Sequence, residues 1–214
     1  MRKIKIGIVL GLVISLLSQN VYAYASEVGL VGVTADGHDH TSYYASINEY
    51  LNTMGYADST ISLNTNPGRA TILNLLDTCE IVVTRSHGGY EISADGSRIN
   101  CHLVLQNDAK VYYSDIEALP SGSLNNLILA VYIGCITAMG GVSLGTEDNL
   151  VVATSNQGAR TAVGFTGTIN CNGANSWVDF FFENLANGDN IDVALNSAVE
   201  ATQNKHWILE ARDQ

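Results

Sequence analysis

Short apolar runs and helical stripes alternate along this chain. Leu127 to Ile133 (Leu-Ile-Leu-Ala-Val-Tyr-Ile) is apolar at every position and ends at Gly134. Such a run is the length of one strand, and apolar character on both faces is how a central parallel strand reads between two helical layers. Glu80 to Ser86 (Glu-Ile-Val-Val-Thr-Arg-Ser) repeats the pattern upstream, as do Val28–Thr34 and Arg160–Phe165. Thr60–Leu63 gives a weaker strand. Between these runs the period changes to that of helices. Tyr44, Ile47, Tyr50 and Leu51 share one helical face, with Thr41 or Ser42 as the cap and Gly55 as the stop. Further helices are predicted over Ala70–Leu76, Ser114–Leu119, Asn149–Gln157, Trp177–Leu185 and Ile191–Thr202.

Residues 90–113 break the alternation. Asp95-Gly96 between Tyr90–Ala94 and Arg98–Leu105 predicts a β-hairpin. The fold class is therefore α/β: a mostly parallel central sheet sandwiched by helices, with a hairpin excursion around residues 90–113.

The amino terminus follows another rule. Arg2, Lys3 and Lys5 precede an apolar stretch, Ile6–Leu17, and a small-residue site, Ala23-Tyr24-Ala25. This is the layout of a secretory signal peptide over residues 1–25, cut after Ala25 or alternatively after Ala23. The apolar stretch is too short for a membrane-spanning helix. The expected mature chain, residues 26–214, is one secreted domain with no stable membrane association. Its charge is acidic, with 21 Asp+Glu against 10 Lys+Arg in the whole chain and a net charge of −11. An acidic surface disfavours nucleic acid and anionic lipid as partners. Cys79, Cys101, Cys135 and Cys171 are too few for a disulfide scaffold and show no Cys-x-x-Cys pair for zinc.

Candidate chemistry sits where two apolar runs stop. In an open α/β sheet, ligands bind beyond the carboxyl ends of the strands. One run ends in His87-Gly88-Gly89 and the other in Gly134-Cys135. An imidazole that takes the thiol proton makes a nucleophile of Cys135. Gly88 lets backbone approach a bound carbonyl, so the Gly88 and Cys135 N–H groups form a candidate oxyanion hole. No metal or organic cofactor is needed for that chemistry.

Two other constellations compete. Gly141-Val142-Ser143-Leu144-Gly145 fits the Gly-x-Ser-x-Gly of serine hydrolases, with His206 following and Asp179, Asp189 or Asp192 between. A nucleophile elbow must leave a strand directly, and Thr137–Gly141 is a poor strand. His38-Asp39-His40 has two imidazoles that could share an ion, but no third ligand stands at a recognisable spacing. A non-catalytic binding module on the same fold is the third possibility.

His87-Gly88 after one buried strand and Gly134-Cys135 after the next resemble the dyad of the caspase-like cysteine peptidases, which include caspases, gingipains, clostripain-like enzymes and CHAT proteins. His87 precedes Cys135 by 48 residues, close to the caspase interval of about fifty. Val151–Phe165 resembles the helix–Gly–strand after the cysteine in gingipain-like and CHAT members, and Trp177, Phe181, Leu185, Gly188, Ala194 and Ala198 continue the likeness. It covers residues 28–202. The resemblance implies a peptidase of caspase–gingipain architecture acting on a peptide or protein substrate. The chain departs from the group in two places. The caspase Gln-Ala-Cys-x-Gly is absent, and Ile133 stands where clostripain-like members carry an acid. Relatives often add another strand beyond the position of Gln214, which implies a short or truncated member.

The resemblance also implies a primary specificity pocket built from Asp36–His40, Tyr132–Ile133 and Thr166–Ser176. None of these stretches contains Arg or Lys. A buried substrate carboxylate needs a fixed cation, so a pocket for aspartate is disfavoured. Asp36, Asp39 and Ile133 are the expected substrate-binding residues, leaning towards a basic side chain with a small or apolar one as the alternative.

Overall fold

The computed structural model describes residues 27–34, 39–92, 94, 99–139, 149–202 and 208–211. The expected signal peptide, Asp36, Asp95-Gly96, Ser143 and His206 lie outside these residues.

Nine strands and six α-helices occur among the described residues. The strands are β1 (Val28–Gly32), β2 (Ile61–Thr65), β3 (Ile81–Arg85), β4 (His87–Ile92), β5 (Ile99–Val104), β6 (Lys110–Tyr112), β7 (Leu129–Ile133), β8 (Thr161–Gly164) and β9 (Ile208–Ala211). The helices are α1 (Tyr44–Thr53), α2 (Arg69–Thr78), α3 (Tyr113–Glu117), α4 (Leu150–Asn156), α5 (Cys171–Ala186) and α6 (Ile191–Thr202). The main sheet runs β2-β1-β3-β7-β8-β9. Five strands are parallel, and β9 joins β8 antiparallel at the edge.

Strand polarity explains the two helical layers. All five residues are buried in each of β1, β3 and β7, and successive side chains enter different cores. Val82, Ala130 and Tyr132 meet Ile72 and Leu76 of α2 on one face. Val83, Val131 and Ile133 meet Ile47 and Leu51 of α1 and Trp177 and Phe181 of α5 on the other. Trp177 stacks on Phe181 at 4.9 Å between centroids and meets Phe165 edge-on at 5.1 Å. Burial of these apolar surfaces supplies the main drive for layering.

Three elements differ from the sequence expectation. The excursion is a three-stranded antiparallel sheet, β4-β5-β6, and it begins at His87 instead of Tyr90. Helix α5 begins at Cys171 instead of Trp177, because the Asn170 side chain caps it by accepting the Gly173 N–H at 2.7 Å. Its first turns, Cys-Asn-Gly-Ala-Asn-Ser, are weak helix formers held by the aromatic packing that follows. The third is β9, which local patterning does not reveal.

Candidate active site

Adjacent parallel strands bring the two candidate residues level. Arg85 of β3 lies opposite Ile133 of β7. Two positions further along each chain are His87 and Cys135. The Ser86 N–H still donates to the Ile133 carbonyl at 3.1 Å, so the pairing persists past the end of β3. Both residues are half-buried and open into one cavity of about 710 Å³ at the carboxyl end of the sheet. This is where an α/β sheet of this kind binds ligands.

Cys135 is held by the turn that follows β7. Buried Thr137 anchors that turn: its hydroxyl lies 3.0 Å from the Tyr132 carbonyl and 3.3 Å from that of Gly134, and it accepts the Phe165 N–H at 3.1 Å. The Ile136 N–H donates to the Gly167 carbonyl at 2.9 Å. Ile136 has φ 53°, a left-handed conformation unfavourable for a β-branched side chain. The strain falls immediately after the candidate nucleophile, as strained residues at functional sites often do. The Cys135 thiol lies 3.5 Å from both the carbonyl oxygen and the amide nitrogen of Ile169.

His87 is fixed differently. It is the first residue of β4 and pairs with Val104. The Ser86 hydroxyl, 2.5 Å from the Val104 carbonyl and 2.7 Å from that of His87, secures the passage between the two sheets. The buried His40 ring meets the His87 ring edge-on, with centroids 5.2 Å apart. Gly88 packs its backbone on that of Cys135: a Cβ at Gly88 would lie 2.0 Å from the Cys135 carbonyl oxygen and 3.0 Å from its nitrogen. Glycine is required here by close approach.

The expected pocket residues separate. Ile133 lines the cavity, along with Ile169, Asn170, Cys171 and Asn172. Asp39 is exposed and does not line it. One carboxylate oxygen of Asp39 accepts the Thr41 hydroxyl at 2.6 Å and the Thr41 N–H at 2.8 Å, and these bonds hold its pKa below the usual carboxylate range. Sequence reasoning missed Arg85, which lines the same cavity and is 3% exposed. Its guanidinium donates to the Asn175 side chain, and to the Cys171 carbonyl at 3.2 Å. It also lies over the Tyr43 ring, 5.8 Å from the centroid. A charged residue closing an otherwise apolar strand was the available signal. All four cysteines are thiols. Of the His38-Asp39-His40 stretch, the His40 ring meets that of His87 and His38 lies outside the described residues. β7 ends ten positions before Ser143, which lies outside the described residues.

Neither a protein-family profile nor a curated protein sequence matches the chain. Solved structures do. Gingipain R, an Arg-specific cysteine proteinase, superposes with a TM-score of 0.62 over 88% of this chain at 11% identity. The fold is caspase-like. The separase–securin complex of Saccharomyces cerevisiae gives a TM-score of 0.55 over 87% of the chain at 13% identity. The complex of the Porphyromonas gingivalis RgpB pro- and mature domains gives 0.55 over 88% at 10%. The chain spans only 46% of the gingipain R chain and 12% of the separase one. This caspase-like sheet agrees with the fold that the sequence resemblance implies. No helix among the described residues is long and apolar enough to cross a membrane.

Proposed function

We propose that the protein is a secreted cysteine peptidase using Cys135 as nucleophile and His87 as general base and acid. The observation that carries this reading is the β3–β7 register, which sets the two residues level at the mouth of one cavity. His87 takes the thiol proton, and the thiolate attacks the peptide carbonyl carbon, forming a C–S bond. The N–H groups of Gly88 and Cys135 stabilise the resulting oxyanion. As the intermediate collapses the C–N bond breaks, and His87 returns the proton to the leaving amine. Water, deprotonated by His87, then attacks the thioester and releases the acid and the thiol. The packing of Gly88 on Cys135 supports the pairing of these two donors.

A mixed peptide library read by mass spectrometry tests the proposal. Cys135→Ala abolishes cleavage, whereas Ser143→Ala leaves it. The reverse pattern would establish the esterase-type alternative, and binding without cleavage by the wild type would establish a non-catalytic module. Amino-terminal sequencing of protein recovered from culture medium should begin at Ser26 or Tyr24.

A further inference from the structure

Arg85 is a buried cation whose direct contacts are neutral, and the exposed Asp39 carboxylate acts on it only from beyond ion-pair distance. It contacts the Asn175 amide, the Cys171 carbonyl and the Tyr43 ring. Tyr43 is itself neutral, since burial pushes its phenol well above the ordinary value. Among the described residues no carboxylate lies within ion-pair distance of Arg85, and none lines the cavity. Burial lowers the Arg85 pKa, yet a guanidinium stays charged at neutral pH. Two donor atoms are engaged in the bonds described, and the fork offers five N–H groups in all. A desolvated cation facing an open cavity without an anion is costly unless a ligand completes it.

A second, independent feature points the same way. The amino terminus of the sixteen-residue helix α5 borders this cavity through Cys171 and Asn172. Its backbone dipole favours an anion there, and its first turn contains no acidic side chain to neutralise it. The distances also suit a substrate. The backbone of Ile169 touches the Cys135 thiol, while that of Cys171 touches the Arg85 guanidinium. Two residues of chain reach at most about 7 Å, and the end contacts add 3.5 Å and 3.2 Å, so the nucleophile and the cation lie no more than about 14 Å apart along one wall of the cavity.

We infer that Arg85 anchors a carboxylate in the primary specificity pocket, so that the residue preceding the scissile bond is Asp or Glu. This rests on the peptidase reading and departs from the Arg specificity of gingipain R. The cation comes from the end of β3, outside the three stretches in which the sequence shows no Arg or Lys. A bidentate guanidinium–carboxylate pair gives directional selectivity that a neutral side chain cannot match.

The test uses amide-capped peptides with Asp, Glu, Asn, Gln, Arg or Leu before the scissile bond, plus a Leu peptide with a free carboxyl terminus. Wild-type cleavage and binding to the Cys135→Ala protein are both measured. Asp or Glu should exceed its amide isostere by at least tenfold in both assays. Arg85→Gln should move the preference towards Asn or Gln, with the melting temperature checked in parallel. If that variant does not fold, the wild-type panel alone still decides. Acidic peptides that bind but are not cut would uphold the carboxylate site and overturn the peptidase reading. Equal handling of acid and amide, or preference for Arg, would overturn the inference, as would binding only of the free-carboxyl-terminal peptide.

Discussion

The ends of β3 and β7 lie side by side and hold their residues by different means. After β7 the chain turns back over its own sheet, and the Thr137 hydroxyl and the Ile136 N–H bind that turn to β7 and to residues 165–167. Cys135 is thus fixed by hydrogen bonds within one layer. After β3 the chain leaves the main sheet and starts a second one at His87, fixed by strand pairing and by the contact of Gly88 with Cys135. One end is a locked turn and the other a junction between two sheets. The candidate dyad therefore depends on packing between sheets at His87 and on buried polar groups at Cys135.

Breaking the junction should have the largest effect. Gly88→Ala places a methyl group 2.0 Å from the Cys135 carbonyl oxygen, so one backbone must move. A displacement near 1 Å can cost about 100-fold in rate, and this loss of kcat/KM is the expected outcome. Gly89→Ala is the control. Its methyl would meet the His102 ring, 2.7 Å from Nε2, and a side chain yields more readily than backbone. If the two variants lose activity equally, the contact with Cys135 has no special role.

The locked turn should respond in stability as well as activity. Thr137→Val keeps the shape but leaves the buried Phe165 N–H without its acceptor. Losing such a partner costs about 1–3 kcal/mol, to be read from the urea midpoint. Thr137→Ser should restore most of it. A neutral valine variant would mean that the hydroxyl does not hold the turn.

The smallest effect concerns the second sheet. His102 of β5 is 4% exposed and burial lowers its pKa from 6.5. A folded-state pKa below the unfolded one gives stability that is present above about pH 6.5 and lost as the pH falls through the lowered folded-state pKa. Wild type should therefore lose more stability between pH 7 and pH 5 than His102→Gln, measured by urea unfolding. Parallel pH curves would show that His102 does not titrate between the folded and unfolded states in this range.

The sequence made the central strands legible because burial on both faces leaves unbroken apolar runs at β1, β3 and β7. The candidate dyad was legible for the same reason, since strand ends are where such runs stop. The start of α5 was not, because Asn, Gly and Ser favour loops locally and only the buried Trp177 and Phe181 reverse that preference. β9 was hidden because its pairing with β8 is non-local. Arg85 looked like an ordinary polar strand terminus. Its burial comes from Tyr43, Cys171 and Asn175, all distant in sequence.

Cys171 provides an internal control for the central claim, because it lines the same cavity and is half-buried like Cys135. Iodoacetamide labelling of the folded protein at pH 6, resolved by site with mass spectrometry, compares the two directly. Only a thiolate reacts, and an imidazole beside a thiol raises the thiolate fraction. His87→Ala should slow labelling of Cys135 at least tenfold and leave that of Cys171, at the amino terminus of α5 beside Arg85, unchanged. A Cys135 rate unchanged by His87→Ala, or an equal slowing of both cysteines, would contradict the dyad.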